Sequence, residues 1–239
     1  MTPKFNKIAI IDFGYNEEFF TNIQKYSREP IEIIAAGSTS GSDNVDALVC
    51  SWKDALDKEH LVRFPKLSYM ATRATSTSNI DLEYIAEKNI SVGSIEGYGD
   101  QATAEFVLQQ LLSASRKRGK ELSGKTVGFL GFGNVPKLIV EPLKSLGVKL
   151  CYYTPSEELT KSSRENVPYV SKVDLLNSDF ISVHTPARTV SLTMEDLKNI
   201  PDETGLIITT MDLPFDENVM RSWKKTAPNQ VIMDKVAAG

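Results

Sequence analysis

Cysteine, histidine and tryptophan are scarce in this chain, with two of each among its 239 residues. So few thiols exclude a disulfide framework. Cys50 and Cys151 both sit in apolar, strand-like runs (ALVCS and VKLCYY), which predicts two buried, reduced thiols. No metal centre is expected. The formal net charge is only −4, and no block of like charge interrupts the chain. That argues against nucleic acid, whose binding needs a basic face, and against an anionic membrane surface. No apolar run approaches the ~20 residues of a membrane span. The N-terminus MTPKFNKIAIID lacks the charged stretch, apolar core and small-residue cleavage site of a secretory signal, so a cytoplasmic protein is expected. Internal repeats and low-complexity tracts are missing too.

What is present is a regular alternation of strand-like and helix-like segments. KIAIIDF, IEIIAAG, DALVCS and LSYMATR are apolar or β-branched runs bounded by polar or glycine turns. Helix candidates lie between them at about 15–27, 53–61 and 81–88. A long amphipathic segment, Asp100 to Lys120, puts Ala104, Val107, Leu108, Leu111 and Leu112 on one stripe. Asp100 is expected to cap its start, and Arg116, Lys117 and Arg118 suit its negative end. After the polar link RKRGKELSGK the pattern restarts. Strands are expected at TVGFLGFG, VKLCYYT, DFISVHTP, GLIITTM and QVIMDK, with helices at 136–146, 172–177, 193–199 and 216–224. This predicts an α/β protein of two doubly wound parallel-sheet domains, 1–98 flavodoxin-like and 99–239 Rossmann-like, with a cleft between them.

The stretch VGFLGFGNVP, residues 127–136, begins as a dinucleotide-binding strand and turn begin. Gly131 fits the tight turn and Gly133 the close approach of a pyrophosphate to the helix N-terminus. The third glycine of that pattern is replaced by Pro136, expected at the very start of the helix, where its missing N–H is tolerated. The acidic residue that grips ribose hydroxyls ~20 positions further on is replaced by Thr154. No arginine follows in TPSEELTK to take a 2′-phosphate.

LSYMATRATSTSNIDLEYIAEKNISVGSIEGYGDQATAEFVLQQLLSASRK resembles the end of the substrate domain and the bridging helix of NAD-dependent D-2-hydroxyacid dehydrogenases. ELSGKTVGFLGFGNVPKLIVEPLKSLGVKLCYYTP is similar to their cofactor turn, and LLNSDFISVHTP to the strand and loop beside the nicotinamide nucleotide. The resemblance implies that Gly131, Gly133, Asn134, Val135, Thr154, His184, Thr185 and Pro186 line any cofactor site. It implies a substrate-carboxylate loop at Thr75, Ser76, Thr77 and Ser78, here without the family's glycine. It also implies a catalytic arginine, glutamate and histidine. Met211 stands at the arginine position and Val236 at the histidine position, and the segment carrying the glutamate is missing. A thioether cannot supply a bidentate cationic clamp. The chain stops at AAG, where the family continues with a returning helix.

His184, Tyr98, Arg73 and Asp212 remain as candidate catalytic groups, with His184 open to a packing role and Arg73 to a plain surface role. Asp212 and Asp216 make the wall beside Met211 acidic, which disfavours a 2-oxo acid carboxylate. His60 lies in a polar helix and is expected at the surface. Three functions follow. One is non-redox chemistry (cyclase, lyase or hydrolase type) on a small molecule in the interdomain cleft. The others are an NAD(P)-dependent oxidoreductase with a rebuilt site, and a non-catalytic binding or partner subunit. The cofactor is expected to be absent or a weakly bound NAD(P), and the assembly a homodimer or hetero-oligomer through helix 102–116.

Overall fold

The computed structural model describes residues 4–12, 14–35, 37–51, 56–74, 77, 79–155, 165–186, 191–210, 214 and 231–233. The chain divides into two compact units, Met1–Tyr98 and Gly99–Gly239.

In the first unit the strands are β1 (Ile8–Asp12), β2 (Glu32–Ala35), β3 (Ala47–Cys50), β4 (Tyr69–Thr72) and β5 (Ser91–Gly93). They form one parallel sheet in the order β2-β1-β3-β4-β5. All four residues of β3 are buried, as expected of a parallel strand covered on both faces. One face packs Leu48, Met70, Leu61, Phe64 and Ile85, and the other packs Ile8, Ile10 and Val49 against Phe19 and Phe20.

Helix α1 spans Glu17–Gln24, shorter than the 15–27 expected. The Asn16 side chain accepts from the Phe19 N–H and sets its start, while Ser27 bridges back to Phe5. Of the candidate 53–61, the described helix is α2 (Lys58–Leu61), capped by Asp57. Helix α3 covers Leu82–Glu87 after the Asp81 cap.

In the second unit β6 (Thr126–Leu130), β7 (Lys149–Tyr153), β8 (Phe180–Val183), β9 (Gly205–Ile208) and β10 (Val231–Met233) form a parallel sheet in the order β10-β9-β8-β6-β7. Helices α4 (Asp100–Lys117) and α5 (Asn134–Ser145) cover one face. There Val107, Leu111, Ile139 and Leu143 close on Phe129 and Tyr152. Helices α6 (Lys172–Leu176) and α7 (Met194–Asn199) cover the other, around Leu130, Ile181 and Leu206.

In the second unit two helix starts differ from expectation in ways that bear on the turn after β6. Asp100 is the first helical residue of α4 rather than its cap, and the cap is Gly99, which makes no side-chain bond. The Asp100 carboxylate is directed instead to Asn134. Helix α5 begins at Asn134, so Pro136 is its third residue and is buried. The first four N–H groups of a helix lack intrahelical partners, so the ring is accommodated at this position as well. The expected helix at 216–224 lies outside the described residues.

Candidate functional site

In the second unit the chain runs from β6 out to β7 on one side, then returns across β6 to β8 on the other. The carboxyl ends of β6 and β8 therefore flank the topological switch point, where open parallel sheets take their ligands. Gly131 follows β6 directly. Its N–H donates to the Tyr153 carbonyl at 2.8 Å, and the His184 N–H donates to the Leu130 carbonyl at 2.8 Å. Gly131 has φ of 89°, and a Cβ placed on it would lie 2.6 Å from the His184 carbonyl oxygen. Only glycine meets both demands without strain. Gly133 differs: its φ is −88°, and nothing lies within 4 Å of a Cβ built there. It is the N-cap of the 12-residue helix α5, whose first turn carries no acidic residue. The turn thus has the backbone shape of a phosphate-facing turn, with open space where a ligand would approach.

His184 follows β8 directly, with its ring turned into the unit. Ser182 Oγ lies 2.8 Å from Nε2, and Thr209 Oγ1 lies 3.5 Å from Nδ1. Thr209 Oγ1 also donates to the Val183 carbonyl at 3.3 Å. With that proton committed, Nδ1 is the ring donor to Thr209, and in the neutral ring Nε2 then accepts from Ser182. Burial among Phe129 and the strand ends pushes the pKa of His184 down from 6.5 to about 3. The ring is half-buried by exposed area but enclosed by protein atoms, and the enclosure governs its charge.

The other candidates divide between the units. Asn134 is exposed, Val135 and Thr154 are half-buried, and Pro186 is exposed, all near the same strand ends. Thr185 is buried, with its hydroxyl 3.3 Å from Ser191 Oγ. Arg73, Thr77 and Tyr98 belong to the first unit. Arg73 follows β4, donates its N–H to the Cys50 carbonyl, and holds its guanidinium 4.9 Å from the centre of the Tyr15 ring. Thr77 is half-buried and its carbonyl accepts from Ile80, while Tyr98 is 57% exposed. Thr75, Ser76, Ser78, Met211, Asp212, Asp216 and Val236 lie outside the described residues.

His60 stands at the surface, 2.7 Å from Asp57. Among the described residues no cluster of His, Cys, Asp and Glu is arranged to hold a metal ion. Nor is any helix there long and apolar enough to cross a membrane.

Sequence reasoning missed Ser182, Thr209 and the Asp100–Asn134 pair. Ser182 was within reach, because residues two apart on a strand share a face. Thr209 and Asn134 are 25 and 34 residues from their partners, and spacing alone carries no signal for either.

The catalytic domain of D-isomer specific 2-hydroxyacid dehydrogenases, as a family pattern, matches residues 26–210. The chain is 30% identical over 205 residues to the glyoxylate reductase of Thermococcus litoralis, covering 74% of this chain and 62% of that protein. It is 24% identical over 241 residues to the erythronate-4-phosphate dehydrogenase of Hydrogenovibrio crunogenus, covering 98% and 62%. Its fold is similar to that of the D-lactate dehydrogenase of Aquifex aeolicus complexed with NAD and lactic acid. The TM-score is 0.76 at 20% identity, over 96% of this chain and 76% of that one. The chain spans less than two thirds of the length of these two curated relatives.

Proposed function

The chain belongs to the D-isomer specific 2-hydroxyacid dehydrogenase family, and on that premise we propose that it has lost histidine-assisted hydride transfer and serves non-redox chemistry on a small molecule. The reading rests on the state of its histidines. The chain has two. His60 is a half-buried residue of α2 paired with Asp57. His184 is neutral, with one hydroxyl group at each ring nitrogen. A general acid must reach the reacting atom with an available proton. His60 sits on α2 and His184 faces inward, so neither is offered to a carbonyl substrate. The thioether of Met211, at the family's arginine position, adds no cation.

A second reading, an NAD(P)-dependent oxidoreductase with a rebuilt site, is favoured by the turn itself. Gly133 and the uncapped N-terminus of α5 leave room for a pyrophosphate, and a nicotinamide nucleotide bound there would supply hydride chemistry. Gly133, Asn134 and Val135 would hold its phosphates, and Thr154 would face its ribose.

Two assays on the full chain separate the readings. NAD, NADH, NADP and NADPH are titrated by calorimetry, and the reduction of glyoxylate and oxidation of D-lactate are followed with the matching cofactor. Each lost charged contact costs ~1.5–3 kcal/mol, so dissociation constants weaker than ~100 μM are expected. No turnover above background is expected. Micromolar binding together with turnover would overturn the proposal and establish the second reading.

A further inference from the structure

Helix α5 brings no anion of its own to its positive end. Gly133 has no side chain to cap it, and the first turn, Asn134 to Pro136, has no acidic residue. The free N–H groups and the helix dipole there favour negative charge. A carboxylate is nevertheless present, delivered by a different helix. Asp100, the first residue of α4, accepts at Oδ2 from the side-chain amide of Asn134, the first residue of α5, at 3.0 Å.

We propose that Asp100 determines the ligand specificity of the β6 turn, its carboxylate weakening the binding of polyphosphate groups at the mouth of α5 and favouring ligands uncharged or cationic at that end. This rests on the reading of the turn as the ligand end of the second unit. Three observations converge on it. The carboxylate is bonded to the side chain of Asn134, the residue that opens α5, which brings it to the N-terminal end of that helix. Gly133 leaves open space there, so the obstacle is charge and not bulk. The half-buried setting of Asp100 limits screening by water without abolishing it.

One like charge at such a half-exposed position is worth about tenfold in the affinity of an anion. Asparagine at 100 keeps the size and the bonding capacity towards Asn134 and removes the charge. The test titrates ADP and inorganic pyrophosphate into the full chain and into Asp100→Asn, Asp100→Ser, Asp100→Glu and Glu105→Gln. Thermal melts confirm that each variant is folded. Glu105 is an exposed acid on the same helix, bonded to Gln101.

The two neutral variants are expected to bind both anions about tenfold more tightly than the parent chain. Asp100→Glu and Glu105→Gln are expected to bind as the parent does. Equal or weaker binding by the neutral variants overturns the proposal, as does an equal gain in Glu105→Gln, which would reduce the effect to net charge. Absence of measurable binding in every variant overturns it too. The ratio between variants reads this inference, whereas absolute NAD affinity and turnover read the proposed function, so the two can fail separately.

Discussion

Replacing Gly131 with alanine tests the geometry on which the turn depends. Alanine at φ of 89° enters the left-handed region, at ~1–2 kcal/mol. The added Cβ would meet the His184 carbonyl oxygen at 2.6 Å, its carbon at 2.9 Å and the Thr185 nitrogen at 3.3 Å. All three are backbone atoms, so no side chain can rotate to relieve the contact, and overpacking of this kind adds ~1–3 kcal/mol. The sum is about 2–5 kcal/mol, a large fraction of the ~5–15 kcal/mol that holds a domain folded.

The displacement also pulls His184 away from Ser182 and Thr209, so β6, β8 and β9 loosen together. Urea unfolding by circular dichroism, with hydrogen exchange to assign the transition to the second unit, measures the loss. Gly133→Ala is the control, since its φ is −88° and its Cβ would stand in open space. That change should cost well under 1 kcal/mol, the weakening of an N-cap. If Gly131→Ala is no more destabilising than Gly133→Ala, the account of the turn is wrong.

The state of His184 makes stability depend on pH. Its folded pKa of about 3 lies below the ordinary 6.5, so the unfolded chain binds the proton first. Its contribution is complete above pH 6.5 and is lost as pH falls towards 3, by about 2 kcal/mol at pH 5. Melting from pH 5 to 7.5 should show that loss relative to His184→Gln, and identical pH profiles would refute it. Thr193 and Asp196 form a reciprocal capping box at the start of α7. Thr193→Ala should lower stability by ~1 kcal/mol in urea titration, and no change would remove the box from the account. Cys50 and Cys151 are buried, and burial pushes the Cys151 thiol up. Both should resist a thiol reagent until the protein is denatured, and fast labelling of the native chain would contradict their placement.

Much of the fold could be read from the sequence because parallel strands buried on both faces write themselves as unbroken apolar runs. ALVC, FISV and GLII are each buried at every position. Helix ends were harder, since they turn on one or two residues whose partners are distant. Pro136 suggested a helix start because proline favours the first position, yet Asn134 and Val135 precede it within α5. Asp100 looked like a cap from composition alone, and only the approach of α5 reveals its bond to Asn134. The same holds for His184. Its place at a strand end was legible, but its charge state was not, because Thr209 reaches it only through the pairing of β8 with β9.

The two glycines of the turn carry different weight as signs of a ligand. Gly131 is required by the fold itself, since the left-handed φ and the neighbouring His184 carbonyl exclude any side chain whether or not a ligand binds. Its presence is therefore no argument for a cofactor. Gly133 is not required in that way. At φ of −88° and ψ of −150° a serine or asparagine would fit and would cap α5 better than glycine does. The helix has its weaker cap at the one position where a side chain would stand between its first N–H groups and an approaching molecule. The case for a ligand at this turn thus rests on Gly133, while the chemistry of that ligand rests on Thr154 and Asp100. The proposed function takes those two residues together, Thr154 in place of a ribose anchor and Asp100 as an added negative charge, as disfavouring an intact dinucleotide.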